Sequence, residues 1–291
     1  MNLFGSKDAN STNHKFSGSE RTWSMRDKLM SAAMAVSVMM PGAIRAFDAL
    51  YVIGDSLSIE NSGGYAGYYG QGTSNGPMWP EYLSAMLGID FNASGDVAVF
   101  GALTSSLQYQ INSLPEGDKR GSLVVLWIGA NDVQNVFAGS PTDDTFNQAI
   151  SNIQGGIESL RALGFRTILV PNVFNLTQTP AYRERFTATE RAQQRALIQD
   201  FNNRLSAMVA AEKWGHPHAQ VRYVNVYSNW TSVLNNAGNY GIIYPFSAGK
   251  DDPSFIATGD FSIGNEYGSW DGLHPTTTIH RLLAEWFKAA L

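Results

Sequence analysis

Leu123-Val124-Val125-Leu126-Trp127-Ile128-Gly129-Ala130-Asn131-Asp132 is the stretch on which the fold turns. Its unbroken apolar run, closed by a glycine, suits a strand buried on both faces, the kind found in parallel sheets. Working outward, Leu50–Ile53 is a similar run ending at Gly54, and Asp96–Phe100 is a further strand candidate. Downstream, Thr167–Val170 is closed by Pro171, and Val221–Val226 follows. Helical patterns separate these runs: Pro80–Leu87, stopped by Gly88; Ser105–Leu114; about Thr145–Leu163, ending at Gly164; Thr189–Trp214; and Thr277–Leu291. Thr187 and Glu190 stand in capping-box spacing before the longest of them. Strands alternating with helices mean parallel strands joined by crossover helices, so the expected fold is α/β, a three-layer α/β/α sandwich.

No repeat and no linker divides residues 47–291, which are expected to form one domain. The segment Gly238–Gly268 stands apart, because it is rich in Gly, Asp, Ser and aromatics and lacks a sustained period. It reads as a long excursion, the sort that walls or covers a site.

Composition narrows the chemistry. Hydrophobic residues make up 44% and charged residues 15% of the 291, enough apolar surface for a sizeable core. A net charge of −5 argues against nucleic acid as a main partner. Without a cysteine, the chain has no disulfide, no thiol nucleophile and no thiolate metal site. Residues 1–24 have no helical or strand period. Arg26 and Lys28 then precede the apolar run Leu29–Ala43, and small residues lead to Ala46. That order describes a secretory signal peptide over about residues 25–46, so the expected location is secreted or periplasmic. The run is too short to span a membrane comfortably, where about 20 residues are needed.

Sites in open α/β sheets collect at the carboxyl ends of the strands. Gly54-Asp55-Ser56-Leu57-Ser58 follows the first strand, Phe100-Gly101-Ala102 the second, and Gly129-Ala130-Asn131-Asp132 the third. Trp270-Asp271-Gly272-Leu273-His274-Pro275 lies just before the terminal helix. Each has a bland reading: Gly-Asp-Ser is ordinary turn chemistry, Asn131-Asp132 suits a cap, and Asp271 with His274 suits a helix entry. Together they meet the needs of acyl transfer. A serine hydroxyl needs a base, a histidine suits that task near neutral pH, and a carboxylate holds the imidazole tautomer. Asp271 and His274 are three apart, so one turn can aim both at Ser56. The backbone N–H groups of Ser56 and Gly101 and the Asn131 amide are candidate donors to an oxyanion.

These four segments resemble the sequence blocks of the GDSL, or SGNH, hydrolase family, in family order, over roughly Leu50 to Ala284. The resemblance implies a flavodoxin-like sheet and a carboxylic ester hydrolase working through an acyl-enzyme. In that reading Ser56 is the nucleophile, Asp271 and His274 complete a triad, and Ser56, Gly101 and Asn131 form the oxyanion hole. It also implies no metal and no organic cofactor, and a small-molecule, lipid or sugar ester as substrate. Two departures stand out: Ile59 replaces an acidic residue common after the first block, and Phe100 replaces a glycine in the second. Asp55, Phe100, Trp79 and Trp270 are the candidate substrate contacts. Aromatic residues cluster at 65–79 and 240–270, and both clusters are expected to wall an ester pocket. Two alternatives stay open: acyl transfer to an alcohol or sugar on the same triad, and a catalytically silent binding module. His216 and His218 read as a solvated turn, and His280 as part of the terminal helix.

Overall fold

The computed structural model describes residues 46–59, 72–215 and 219–291. The expected signal peptide lies outside the described residues but for Ala46, as do Tyr65, Tyr68, Tyr69, His216 and His218. Four strands, β1 Leu50–Gly54, β2 Leu123–Trp127, β3 Thr167–Pro171 and β4 Gln220–Val224, pair in parallel in the order β1-β2-β3-β4. Every residue of β2 is buried, as its unbroken apolar run predicts for a central strand.

The expected strand at Asp96–Phe100 is an irregular edge instead. It touches β1 through the bridge Val52–Asp96 and through two backbone bonds, Val97 N–H to the Val52 carbonyl at 3.0 Å and Val99 N–H to the Gly54 carbonyl at 3.1 Å. Val99 and Phe100 are exposed, so no second layer holds the segment to a regular pleat. Counted with that edge, the strand order in chain sequence is 2-1-3-4-5, the flavodoxin-like order that the sequence implied.

Helices cover both faces. α1 Trp79–Leu87 packs along the terminal helix, and Trp79 and Phe287 meet Trp127 of β2 at ring centroid distances of 6.5 and 5.7 Å. On the other face lie α2 Leu107–Asn112, α3 Ala130–Phe137, α4 Thr142–Ala162, α5 Pro180–Arg185 and α6 Ala188–Gly215. Phe146 of α4 and Phe201 of α6 meet edge to face at 5.3 Å. Further along the same two helices lies a buried ion pair between Arg161 and Glu212, where Gln154 adds a 2.9 Å bond to the carboxylate. The capping box at the start of α6 forms as its spacing predicts, with Thr187 N–H on the Glu190 carboxylate at 2.8 Å and Glu190 N–H on the Thr187 hydroxyl at 3.3 Å.

The remaining helices are α7 Val226–Asn235, α8 Pro253–Thr258 and α9 Thr277–Ala289. The sequence missed α3, α5, α7 and α8. The segment read as a structureless excursion carries β5 Tyr244–Ala248 and β6 Tyr267–Ser269, paired in parallel, with α8 between them. Its rings pack on one another: Phe255 meets Trp270 at 4.8 Å and Phe261 at 5.2 Å, and Tyr244 stacks on Tyr267 at 4.6 Å. A small satellite core thus anchors the chain just before Asp271.

Candidate active site

The turn after β1 is built by its own polar groups. Ser58 N–H donates to the Asp55 carbonyl at 3.0 Å, and Leu57 N–H donates to Asp55 Oδ1 at 3.0 Å. Gly54 has to be glycine, since a Cβ there would stand 2.4 Å from the Trp127 carbonyl oxygen. The buried side chain of Gln110 satisfies Gly54 on both sides, accepting its N–H at 2.9 Å and donating to its carbonyl at 3.0 Å. With its backbone held this way, Ser56 sits at the strand end with its hydroxyl turned to the segment 271–274.

That segment is an Asx turn. Asp271 Oδ1 accepts the backbone N–H groups of Leu273 and His274, both at 2.7 Å, which leaves Oδ2 for the His274 ring. The ring completes a line: Nδ1 to Asp271 Oδ2 at 2.8 Å, and Nε2 to Ser56 Oγ at 2.9 Å. Burial pushes the Asp271 carboxyl up, but the His274 side chain and the two backbone donors outweigh it and hold it below the ordinary carboxylate range. An ionised Asp271 fixes the proton on Nδ1, so Nε2 presents its lone pair to the serine hydroxyl.

The third block joins the second to this line. Asn131 Nδ2 donates to the Ala102 carbonyl at 3.0 Å and lies 3.4 Å from Asp55 Oδ2. Asp132, next in sequence, accepts from the Thr104 N–H at 3.0 Å and the Thr104 hydroxyl at 2.7 Å. These bonds hold the turn that carries Gly101, whose φ of +70° suits a glycine. Asp55 is fully enclosed. Burial raises its carboxyl to about 7, against the lowering effect of the Leu57 N–H and of His274.

A hollow at Ser56 is lined by Asp55, Asn131 and His274 on its polar side and by Leu57, Phe174, Leu176 and Leu273 on its apolar side. Sequence reasoning missed Gln110, Gln134, Phe174 and Leu176. Gln134 alone carried a signal, standing one helical turn after Asn131, and its amide donates to Asn131 Oδ1 at 3.3 Å.

Two of the expected substrate contacts need correction. Trp79 is fully buried: its ring packs on Phe287 at 4.8 Å and its indole N–H donates to Ser58 Oγ at 3.3 Å. Trp270 is also fully buried, inside the satellite core, and only its backbone N–H reaches the site, donating to the His274 carbonyl at 2.8 Å. Both are scaffold, because a large apolar ring gains more from the core than from an open pocket. Phe100 lies over the His274 imidazole, 5.8 Å between centroids, and stays 46% exposed. His280 is buried, accepts the Trp79 backbone N–H at 3.3 Å on Nδ1, and is driven down to about 3 by burial and by the charge of His274. It stays neutral. Among the described residues no group of His, Asp or Glu is arranged to hold a metal, and no helix is long and apolar enough to cross a membrane.

A parallel sheet carrying a Ser–His–Asp line at its carboxyl edge defines an SGNH-type hydrolase fold. The chain belongs to the GDSL-like lipase/acylhydrolase family, whose model matches residues 50–287. It is 24% identical to a phosphatidylcholine-sterol acyltransferase of Aeromonas hydrophila, over 87% of this chain and 92% of that one. It is 29% identical to a GDSL esterase/lipase of Arabidopsis thaliana, over 56% of this chain and 49% of that protein, so it spans about half the length of that plant relative. With an acetylesterase of Thermothelomyces thermophilus the identity is 23%, over 75% of this chain and 65% of that protein. Among solved structures, a catalytic mutant of an acetylxylan esterase from Geobacillus stearothermophilus superposes with a TM-score of 0.53 at 16% identity, over 85% of this chain and 95% of that one. At that identity the likeness is one of fold.

Proposed function

We propose that the protein hydrolyses carboxylic esters through an acyl-enzyme on Ser56. The observation that carries this is the unbroken line from Asp271 Oδ2 through His274 to Ser56 Oγ, at 2.8 and 2.9 Å. In the first half-reaction His274 Nε2 takes the hydroxyl proton as Oγ bonds to the ester carbonyl carbon. The oxyanion is met by the N–H groups of Ser56 and Gly101 and by the Asn131 amide, which turns to it the hydrogen that otherwise faces Asp55 Oδ2 at 3.4 Å, each donor worth about 3 kcal/mol in the transition state. His274 then gives the proton to the leaving alcohol oxygen as the C–O bond breaks. In the second half the same nitrogen takes a proton from a water as its oxygen bonds to the acyl carbon, then gives that proton to Ser56 Oγ as the C–Oγ bond breaks, which releases the acid and restores the serine.

Release of p-nitrophenol from p-nitrophenyl acetate tests this directly. Wild type turns the ester over and Ser56→Ala does not; equal rates from the two proteins would sink the proposal. A second reading keeps the same line of groups but delivers the acyl group to an alcohol. The similarity to the Aeromonas hydrophila acyltransferase favours it, as does the Phe100 ring over His274. Product analysis with an acceptor alcohol present separates the two readings. Export is also part of the proposal: the charged start and apolar run of residues 25–46 support removal of that segment and action of residues 47–291 outside the cytoplasm. N-terminal sequencing of the exported protein tests it.

A further inference from the structure

Two hollows meet at a shared wall made by Gln134 and Leu273. The one at Ser56 is small, about 10 Å³, the room of a single water. The other is a groove of about 270 Å³ between α3 and α5. Its sides are the rings of Phe137, Tyr182 and Phe186, with Arg185 set 5.3 Å over the Phe186 ring.

We propose that the substrates are esters of a small acyl group, acetyl in size, with a bulky ring-bearing alcohol, the acyl part entering the hollow at Ser56 and the alcohol lying in the groove between α3 and α5. This rests on Ser56 being the nucleophile of an ester hydrolase. The assignment of ends follows from the proton. The leaving oxygen must reach His274 Nε2 to be protonated, so the alcohol lies on the His274 side of the bond being broken. Leu273, next to His274, lines both the hollow and the groove, so the groove is the space beside that side. The acyl group is left with the hollow, where Leu57, Phe174 and Leu176 leave room for about one methyl group beyond the carbonyl carbon.

The lining of the groove also selects its guest. Phe137 meets Tyr182 edge to face at 5.8 Å, and Phe186 lies over Tyr182 at 5.5 Å, so ring faces and edges line one cleft. The Gln134 amide and the Arg185 guanidinium stand beside them as polar groups. Rings with polar groups at their margins fit a cyclic alcohol, carbocyclic or sugar, better than a fatty chain, which gains nothing from a guanidinium. The groove is also wired to the chemistry. The Tyr182 hydroxyl donates to Gln134 Oε1 at 3.3 Å, and Gln134 donates to Asn131 at 3.3 Å, so a guest against Tyr182 bears on the oxyanion donor.

The test compares ethyl acetate, ethyl hexanoate, cyclohexylmethyl acetate and methyl 6-O-acetyl-glucoside on the purified full chain. Ethyl and cyclohexylmethyl alcohols are similarly poor leaving groups, so a difference between their acetates reports binding. The expected kcat/KM is about tenfold higher for cyclohexylmethyl acetate than for ethyl acetate, and about tenfold lower for the hexanoate than for ethyl acetate. The glucoside shows whether a sugar shares the preference of the carbocycle; a glucoside poorer than ethyl acetate assigns the groove to apolar rings. Phe186→Ala should cut the cyclohexylmethyl-to-ethyl ratio to near one, a readout that survives a general loss of folded enzyme because both rates fall together. Hexanoate preferred over acetate, or a ratio of one in wild type, overturns the proposal while leaving an active esterase. No turnover of any of the four overturns the ester-hydrolase reading itself.

Discussion

The indole N–H of Trp79 donates to Ser58 Oγ at 3.3 Å, which ties the first turn of α1 to the turn that carries Ser56. Both groups are fully buried. Ser58→Ala removes the acceptor and strands the indole N–H, so the expected cost is about 1 to 3 kcal/mol. Urea unfolding measures it, and Trp79→Phe in the same background closes a double-mutant cycle. If the pair is coupled, the double variant costs less than the sum of the singles.

Asp271 has two duties, and one substitution separates them. Asp271→Asn keeps an oxygen that can accept the backbone N–H groups of Leu273 and His274, so the turn survives. The amide then loses the charge that fixes the His274 tautomer. Expected is a fall in kcat for p-nitrophenyl acetate of roughly 10³ to 10⁴-fold with little change in thermal stability. Unchanged kcat would remove Asp271 from the mechanism.

Asn131→Ala probes the amide that lines the hollow. Loss of one oxyanion donor costs roughly 10² to 10³ in kcat and little in KM. Because the same amide holds the Ala102 carbonyl at 3.0 Å, a small loss of stability should accompany it. A variant that loses stability but keeps kcat would make Asn131 a brace for the second block only.

Asp55 makes a prediction about pH. Its folded-state carboxyl stands near 7, against 3.8 unfolded. Between those values the native state binds more protons than the unfolded state, so this group's contribution to stability falls as pH rises through that window. The upper bound on the fall is about 4 kcal/mol. Asp55→Asn has no charge to bury. Relative to wild type its melting temperature should therefore be higher at pH 8.5 than the difference at pH 4 would suggest, read by calorimetry at both. A constant difference would mean that Asp55 is ionised throughout.

How much of this could be read beforehand follows the range of each signal. The buried strand at Leu123–Ile128, the cap at Thr187 and the blocks at Ser56 and His274 are local patterns, and the structure has them where the residues say. Trp79 and Trp270 misled, because a tryptophan beside a site and one beneath it look alike in sequence, and only packing on Phe287 or Phe255 tells them apart. Gln110 was invisible for a related reason: its partner, Gly54, lies 56 residues away. Helices α3, α5 and α7 were missed because they take their stability from tertiary packing rather than from propensity. The excursion 238–268 looked structureless because β5 and β6 are brief and their cohesion comes from contacts among its own rings, which follow no helical or strand period.

Ser56 and His274 are 218 residues apart, and α9, which follows His274, lies along α1 just downstream of Ser56. The Ser56 hydroxyl and the His274 imidazole therefore come to within 2.9 Å only once α9 has closed against α1. A stretch of chain that ends before Asp271 holds the hydroxyl without the imidazole beside it.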